Sequence, residues 1–177
     1  MGQAKDVLTS SDDSALRRYQ DLVVGTRSPL FLVRYELSML LANWVPGALG
    51  LVLRKLAYPR LFRDLGPNVV FGRNVTIRNP LGIQVGANVV VDDHCVLDGR
   101  SEHDVGLRVG PRTMIARNTQ IQSKGGRIVI GENVGIGANT VIHTIAPNRT
   151  EVGDDAMLAP YSYVGGTAYH TDRTDIS

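Results

Sequence analysis

Few side chains in this sequence can do chemistry, and four histidines lead them: His94, His103, His143 and His170. Imidazole has the unperturbed pKa nearest neutrality, so each can take or give a proton under cellular conditions. His170 stands in the segment VGGTAYHTDRTD, with Gly165 and Gly166 before it and Asp172 and Arg173 close behind. The two glycines let the backbone bend or come close to a ligand. A metal centre is not expected, because zinc needs three or four converging ligands and the histidines show no HxxH or HxxxxH spacing. A serine hydrolase is equally unsupported without a GxSxG elbow.

The elements that must position these groups announce themselves as a period of six. From Leu65 the chain reads LGPNVV, FGRNVT, then VGANVV, VDDHCV, then VGPRTM, IARNTQ, then IGENVG, IGANTV, then VGDDAM, LAPYSY. Each hexad opens with a large apolar residue, often follows with Gly, favours Asn or Asp at the fourth place and is small at the fifth. A period of six fits neither a helix nor an alternating strand; it is the signature of a parallel β-helix. The opener and the small fifth residue point into a narrow prism. The fourth residue turns the corner, where a left-handed backbone suits Asn and Asp best among residues other than Gly. A third opener follows each pair of hexads: Ile77, Leu97, Ile121, Ile142 and Val164. The expectation is a mainly β chain, a left-handed parallel β-helix of about five coils over 65–170.

Placed in this register, the histidines separate. Roughly two, six, three and four extra residues follow the first four third-openers, all at one corner. Insertions gathered on one face of a repeat protein mark its binding face. His94 is a fourth-place corner residue. His103 sits in the longest insertion, GRSEHDVG, with Arg100. His143 directly follows opener Ile142, exposed on the ragged edge. Cys95 takes a buried fifth place; as the only cysteine it excludes an internal disulfide and fits a reducing compartment. Thr113, Thr119 and Thr140 point inward, which argues against an ice-binding Thr face. The formal net charge of +2, with no basic stripe interleaved with aromatics, gives no reason to expect nucleic acid.

Ahead of the coils, residues 1–28 read as a polar arm with a short helix around 14–24, and no secretory signal is expected there. Residues 29–64 are dense in Leu and Val and carry Arg34, Arg54, Lys55, Arg60 and Arg63 against one acid, Glu36. Pro46-Gly47 divides them into two helices of about ten residues, too short to span a bilayer. Two readings stand: a helical cap over the open first coil, or a peripheral membrane-interface segment over 29–63. In the second, Trp44 and Tyr58 sit at headgroup level and the cations face anionic lipid. Residues 171–177 are a tail.

The hexads, with VVVDDHCVLDGR, GPRTMIARNTQI, GENVGIGANTVI and GGTAYHTDRTDI, resemble the hexapeptide-repeat acyltransferases. The likeness is nearest to the sugar O-acetyltransferases of polysaccharide synthesis, and it covers 45–177. It implies an acetyl-CoA-dependent transfer to a hydroxyl of a sugar or glycan precursor, with no metal. It implies His170 as catalytic base, Asp172 as its orienting partner and His143 as second choice. Acceptor contacts are then expected from Gly165, Gly166, Tyr169, Arg173, Arg100 and His103. It also implies a homotrimer with the site between subunits, in the cytoplasm or at the inner face of the cytoplasmic membrane. The family continues beyond this motif with further coils that build its CoA groove, whereas this sequence stops at Ser177. The alternative expectation is therefore a non-catalytic β-helix, a scaffold or regulatory subunit.

Overall fold

The computed structural model describes residues 14–102 and 104–166. Three five-stranded parallel sheets form the sides of a triangular prism, and successive strands of the chain pass from one side to the next. The first openers stack in one column, Leu65, Val85, Val109, Ile130 and Val152. The second openers stack as Phe71, Val91, Ile115, Ile136 and Leu158. The third stack as Ile77, Leu97, Ile121, Ile142 and Val164. This is the left-handed β-helix of about five coils that the hexads predict, in the predicted register.

Every fourth-place residue has a positive φ, including those that are neither Asn nor Asp: His94 at 61°, Arg112 at 56° and Tyr161 at 62°. The fifth places fill the core. Val75, Val89, Cys95, Val134 and all three inward threonines are buried. Each threonine hydroxyl donates to a second-place carbonyl of the coil above: Thr113 to Gly131, Thr119 to Gly137 and Thr140 to Ala159, at 3.1–3.2 Å. Cys95 Sγ lies 3.2 Å from the equivalent carbonyl of Ala116, and burial pushes its thiol up to about 11.

The second-place glycines have a cause that the sequence does not disclose. A Cβ on Gly66 would stand 2.6 Å from Ala87 N, and one on Gly86 2.7 Å from Pro111 N. The backbone of the next coil occupies that space, so these glycines serve close approach rather than unusual φ.

The helices lie below the first coil. They are α1 (Ala15–Tyr19), α2 (Pro29–Ser38) and α3 (Gly47–Ala57); π turns Gln20–Val24 and Met39–Asn43 extend the first two. Ser28 caps α2 by accepting from Phe31 N, with Pro29 at the first helical position. A first coil has no neighbour beneath it to satisfy its downward backbone groups. Here the helical segment does so. Arg54 Nε donates to Phe71 O at 2.8 Å, Tyr35 Oη to Ile77 O at 2.6 Å, Asn74 N to Asn43 O at 2.8 Å and Asn79 N to Val23 O at 2.7 Å. Arg54 and Tyr58 are buried, which corrects the expectation that both face lipid. Tyr58 stacks its edge on Phe71 at 5.2 Å, and Phe62 packs flat on Phe71 at 5.3 Å. No helix among the described residues is long and apolar enough to cross a membrane.

Candidate functional site

The third side of the prism carries His143. In strand Val141–Thr144, Ile142 points inward, so the residues flanking it turn out. The register sets His143 between Gln122 of strand Gln120–Gln122 and Gly165 of strand Tyr163–Gly166. Tyr163 reaches across diagonally, its ring centroid 5.1 Å from the imidazole and its Oη 3.2 Å from His143 Nε2. A Cβ on Gly165 would lie 3.0 Å from His143 Cε1 and 3.0 Å from Tyr163 Cε1, so the glycine leaves the space the two rings use. The structure thus brings together two predicted site residues, His143 and Gly165, and pairs Gly166 with Thr144.

His143 Nδ1 is buried without a hydrogen-bond partner. Burial lowers the imidazole pKa below its ordinary 6.5, and the cation of Lys124 lowers it further. With Nδ1 buried, Nε2 beside the Tyr163 phenol is the nitrogen through which this ring can exchange a proton. Because the folded state depresses this pKa, the unfolded chain takes up the proton first as pH falls. The stability that neutral His143 contributes is present above pH 6.5 and is lost as pH drops through the folded value. The fall in Tm between roughly pH 7 and pH 5 is therefore expected to be shallower in His143→Gln than in the parent. Superimposable melting curves across that range would contradict the depressed pKa.

The longest insertion builds a second feature at the same corner. Buried Asp98 accepts from Asn79 Nδ2 at 3.2 Å and from Arg100 N at 2.9 Å. Ser123 Oγ lies 2.9 Å from Asp98 O and 2.7 Å from Arg100 O, tying the loop to the coil above. The loop closes one side of a cavity of about 420 Å³, whose polar wall includes Asp21, Arg63, Asn79, Arg100, Ser101 and Asp104. Arg63 Nη1 donates to Asp104 O at 3.1 Å across its rim. Arg100 therefore lines a pocket, but on the second coil, while His143 is on the fourth. Two coil spacings, roughly 10 Å along the prism axis, separate them.

His103, Tyr169, His170, Asp172 and Arg173 lie outside the described residues. His94 is the corner residue that its place in the hexad predicts. Sequence reasoning missed Tyr163, Lys124, Asp98 and Arg63. Tyr163 had a signal: the sixth place of one coil faces diagonally the residue after the third opener of the coil before. Among the described residues, no three His, Cys, Asp or Glu side chains converge as a metal site.

The architecture defines the class first, a hexapeptide-repeat β-helix with a helical cap. No family model matches the chain. A serine acetyltransferase from Synechococcus elongatus is 29% identical over 94 residues, covering 50% of this chain and 38% of that protein. The chain therefore spans well under half the length of this curated relative. Two solved structures are similar to the chain. One is a maltose O-acetyltransferase from Clostridium difficile, 17% identical with a TM-score of 0.41, covering 86% of this chain and 93% of that one. The other is a hexapeptide-repeat acetyltransferase from Vibrio cholerae complexed with acetyl-CoA, 20% identical with a TM-score of 0.32, covering 79% and 86%.

Proposed function

We propose that this chain moves an acetyl group from acetyl-CoA to a hydroxyl of a sugar or glycan precursor. The observation that carries the reading is the register of the last strand. Gly165 lies beside His143 and Gly166 beside Thr144, so the last described residues before the His170 motif stand next to an imidazole whose pKa is lowered. Four residues, at most about 14 Å of extended chain, lead from Gly166 to His170. The resemblance to acetyltransferases, 29% identity to one of them over half the chain, points the same way.

In this reading His170 takes the proton from the acceptor hydroxyl as general base, with Asp172 holding its tautomer. The hydroxyl oxygen attacks the thioester carbonyl. Backbone N–H groups at a coil edge stabilise the oxyanion. The C–S bond then breaks, and the imidazolium returns the proton to the departing thiolate. Gly165, Gly166, Tyr169 and Arg173 serve the acceptor from one side, and Arg100 and His103 from the insertion. A homotrimer in the cytoplasm, with the ragged corner of one subunit against a coil of the next, completes the proposal.

Isothermal titration of the full chain with acetyl-CoA is the direct test. Saturable binding below about 1 mM, the usual range for an enzyme substrate, is expected. No heat at millimolar acetyl-CoA would remove transfer and leave the scaffold reading.

A further inference from the structure

The inner face of the helical segment is accounted for by the first coil; its outer face is not. On α2 and the π turn after it, Leu30, Val33, Leu37 and Leu40 recur at helical spacing and are 49–71% exposed. On α3, Leu49, Val52 and Leu56 repeat the pattern at 54–66% exposed. Trp44 lies between the two helices in the chain and is 63% exposed. Folding does not need these side chains, because the hydrogen bonds and buried aromatics that hold the cap in place belong to its other side. An exposed apolar stripe on each of two successive helices marks an interaction surface.

Charge selects the occupant. Residues 29–63 hold five cations and one carboxylate. Arg54 is turned inward onto carbonyls and Arg63 bonds Asp104, which leaves Arg34, Lys55 and Arg60 exposed around the apolar residues. The single acid, Glu36, accepts from Tyr19 Oη at 2.5 Å. A second copy of the chain docked on this face would bring cations of both copies together without countercharge. An anionic bilayer surface meets both the Leu and Val side chains and the cations. α2 with its π turn and α3 extend roughly 20 Å and roughly 16 Å, short of the ~30 Å hydrocarbon thickness, so they lie in the interface and do not cross it.

We infer that the outer face of α2 and α3 docks this protein on an anionic membrane surface, with the prism standing away from the bilayer. The proposal is independent of the transfer reaction. Its test is co-sedimentation of the full chain with phosphatidylcholine vesicles containing about 30% phosphatidylglycerol, against pure phosphatidylcholine. The expected result is binding to the anionic vesicles that exceeds binding to the neutral ones. Arg34→Gln with Lys55→Gln is expected to weaken it roughly 30-fold, since each surface cation contributes about fivefold. Leu40→Asp with Leu56→Asp is expected to abolish it with an unchanged circular dichroism spectrum, because both leucines are 66% exposed. Protein that stays in the supernatant at every concentration of anionic lipid overturns the proposal. So does light scattering that finds dimers split by Leu40→Asp with Leu56→Asp, which would make the face a contact between copies.

Discussion

On the proposed reaction, replacing His170 with alanine is expected to lower acetyl transfer by roughly 10²- to 10⁴-fold, the range that a positioned general base contributes. The physical reason is the acceptor. The proposed acceptor, a hydroxyl, is a poor nucleophile until its proton is taken, and no other group of the VGGTAYHTDRTD segment has an ordinary pKa near neutrality. The loss should fall on kcat/KM and carry the acid limb of the pH profile with it, because that limb reports protonation of the base. Asp172→Asn should cost less, since it disturbs the orientation of the ring and not the ring itself. His143→Ala is the informative comparison. Burial lowers its imidazole pKa, and because Nδ1 is buried, a role in proton transfer would run through Nε2, 3.2 Å from Tyr163 Oη. Release of CoA thiol, followed with a thiol reagent, separates the two. Undiminished turnover in His170→Ala together with collapse in His143→Ala would transfer the role to His143.

How far the sequence discloses this arrangement depends on the range of the interactions. The prism is legible because its rules are local to one hexad. An opener such as Ile121 and a fifth residue such as Thr119 point inward whatever lies above them. The fourth-place φ is equally local, which is why His94, Arg112 and Tyr161 obey it despite their side chains. Reasons that need two coils were hidden. Gly66 is required by Ala87, and Tyr163 meets His143, each about one coil away in sequence. The cap was least legible. Leucine density announces helices but not which side of each is satisfied, so Arg54 and Tyr58 read as lipid-facing when the bare edge of the first coil draws them in. The cavity at Arg100 also depends on distant partners, since Asp21 and Arg63 come from outside the repeat that supplies the loop.

The same edge makes Arg54 the residue whose loss should cost the fold most for its size. Its guanidinium has no carboxylate partner among its hydrogen bonds; it donates to the carbonyls of Phe71, Ala42 and Val45 at 2.8–2.9 Å while only 3% exposed. Gly50 leaves room chiefly for the Val45 carbonyl that Arg54 bonds, since a Cβ there would collide with Val45 O and lie 2.9 Å from Arg54 Nη1. Arg54→Met keeps the length of the side chain and removes every donor. Each buried carbonyl left dry costs about 1–3 kcal/mol, partly offset because a cation no longer has to be desolvated. A net loss of about 3–5 kcal/mol follows, which in a chain of this size lowers Tm by roughly 10 °C. Arg54→Lys should fall between the parent and Met, because one ammonium cannot reach both the coil edge and the π turn with the geometry of the planar fork. Tyr35→Phe, which removes a single donor from Ile77 O, should cost about 1 kcal/mol. Thermal denaturation by circular dichroism ranks the series. Trypsin sensitivity in the 29–63 segment locates the damage, since a cap that loosens before the coils melt is cut first. A Met variant melting within about 1 °C of the parent would show that the edge carbonyls find other donors, and that the inward turn of Arg54 is not what binds the cap to the prism.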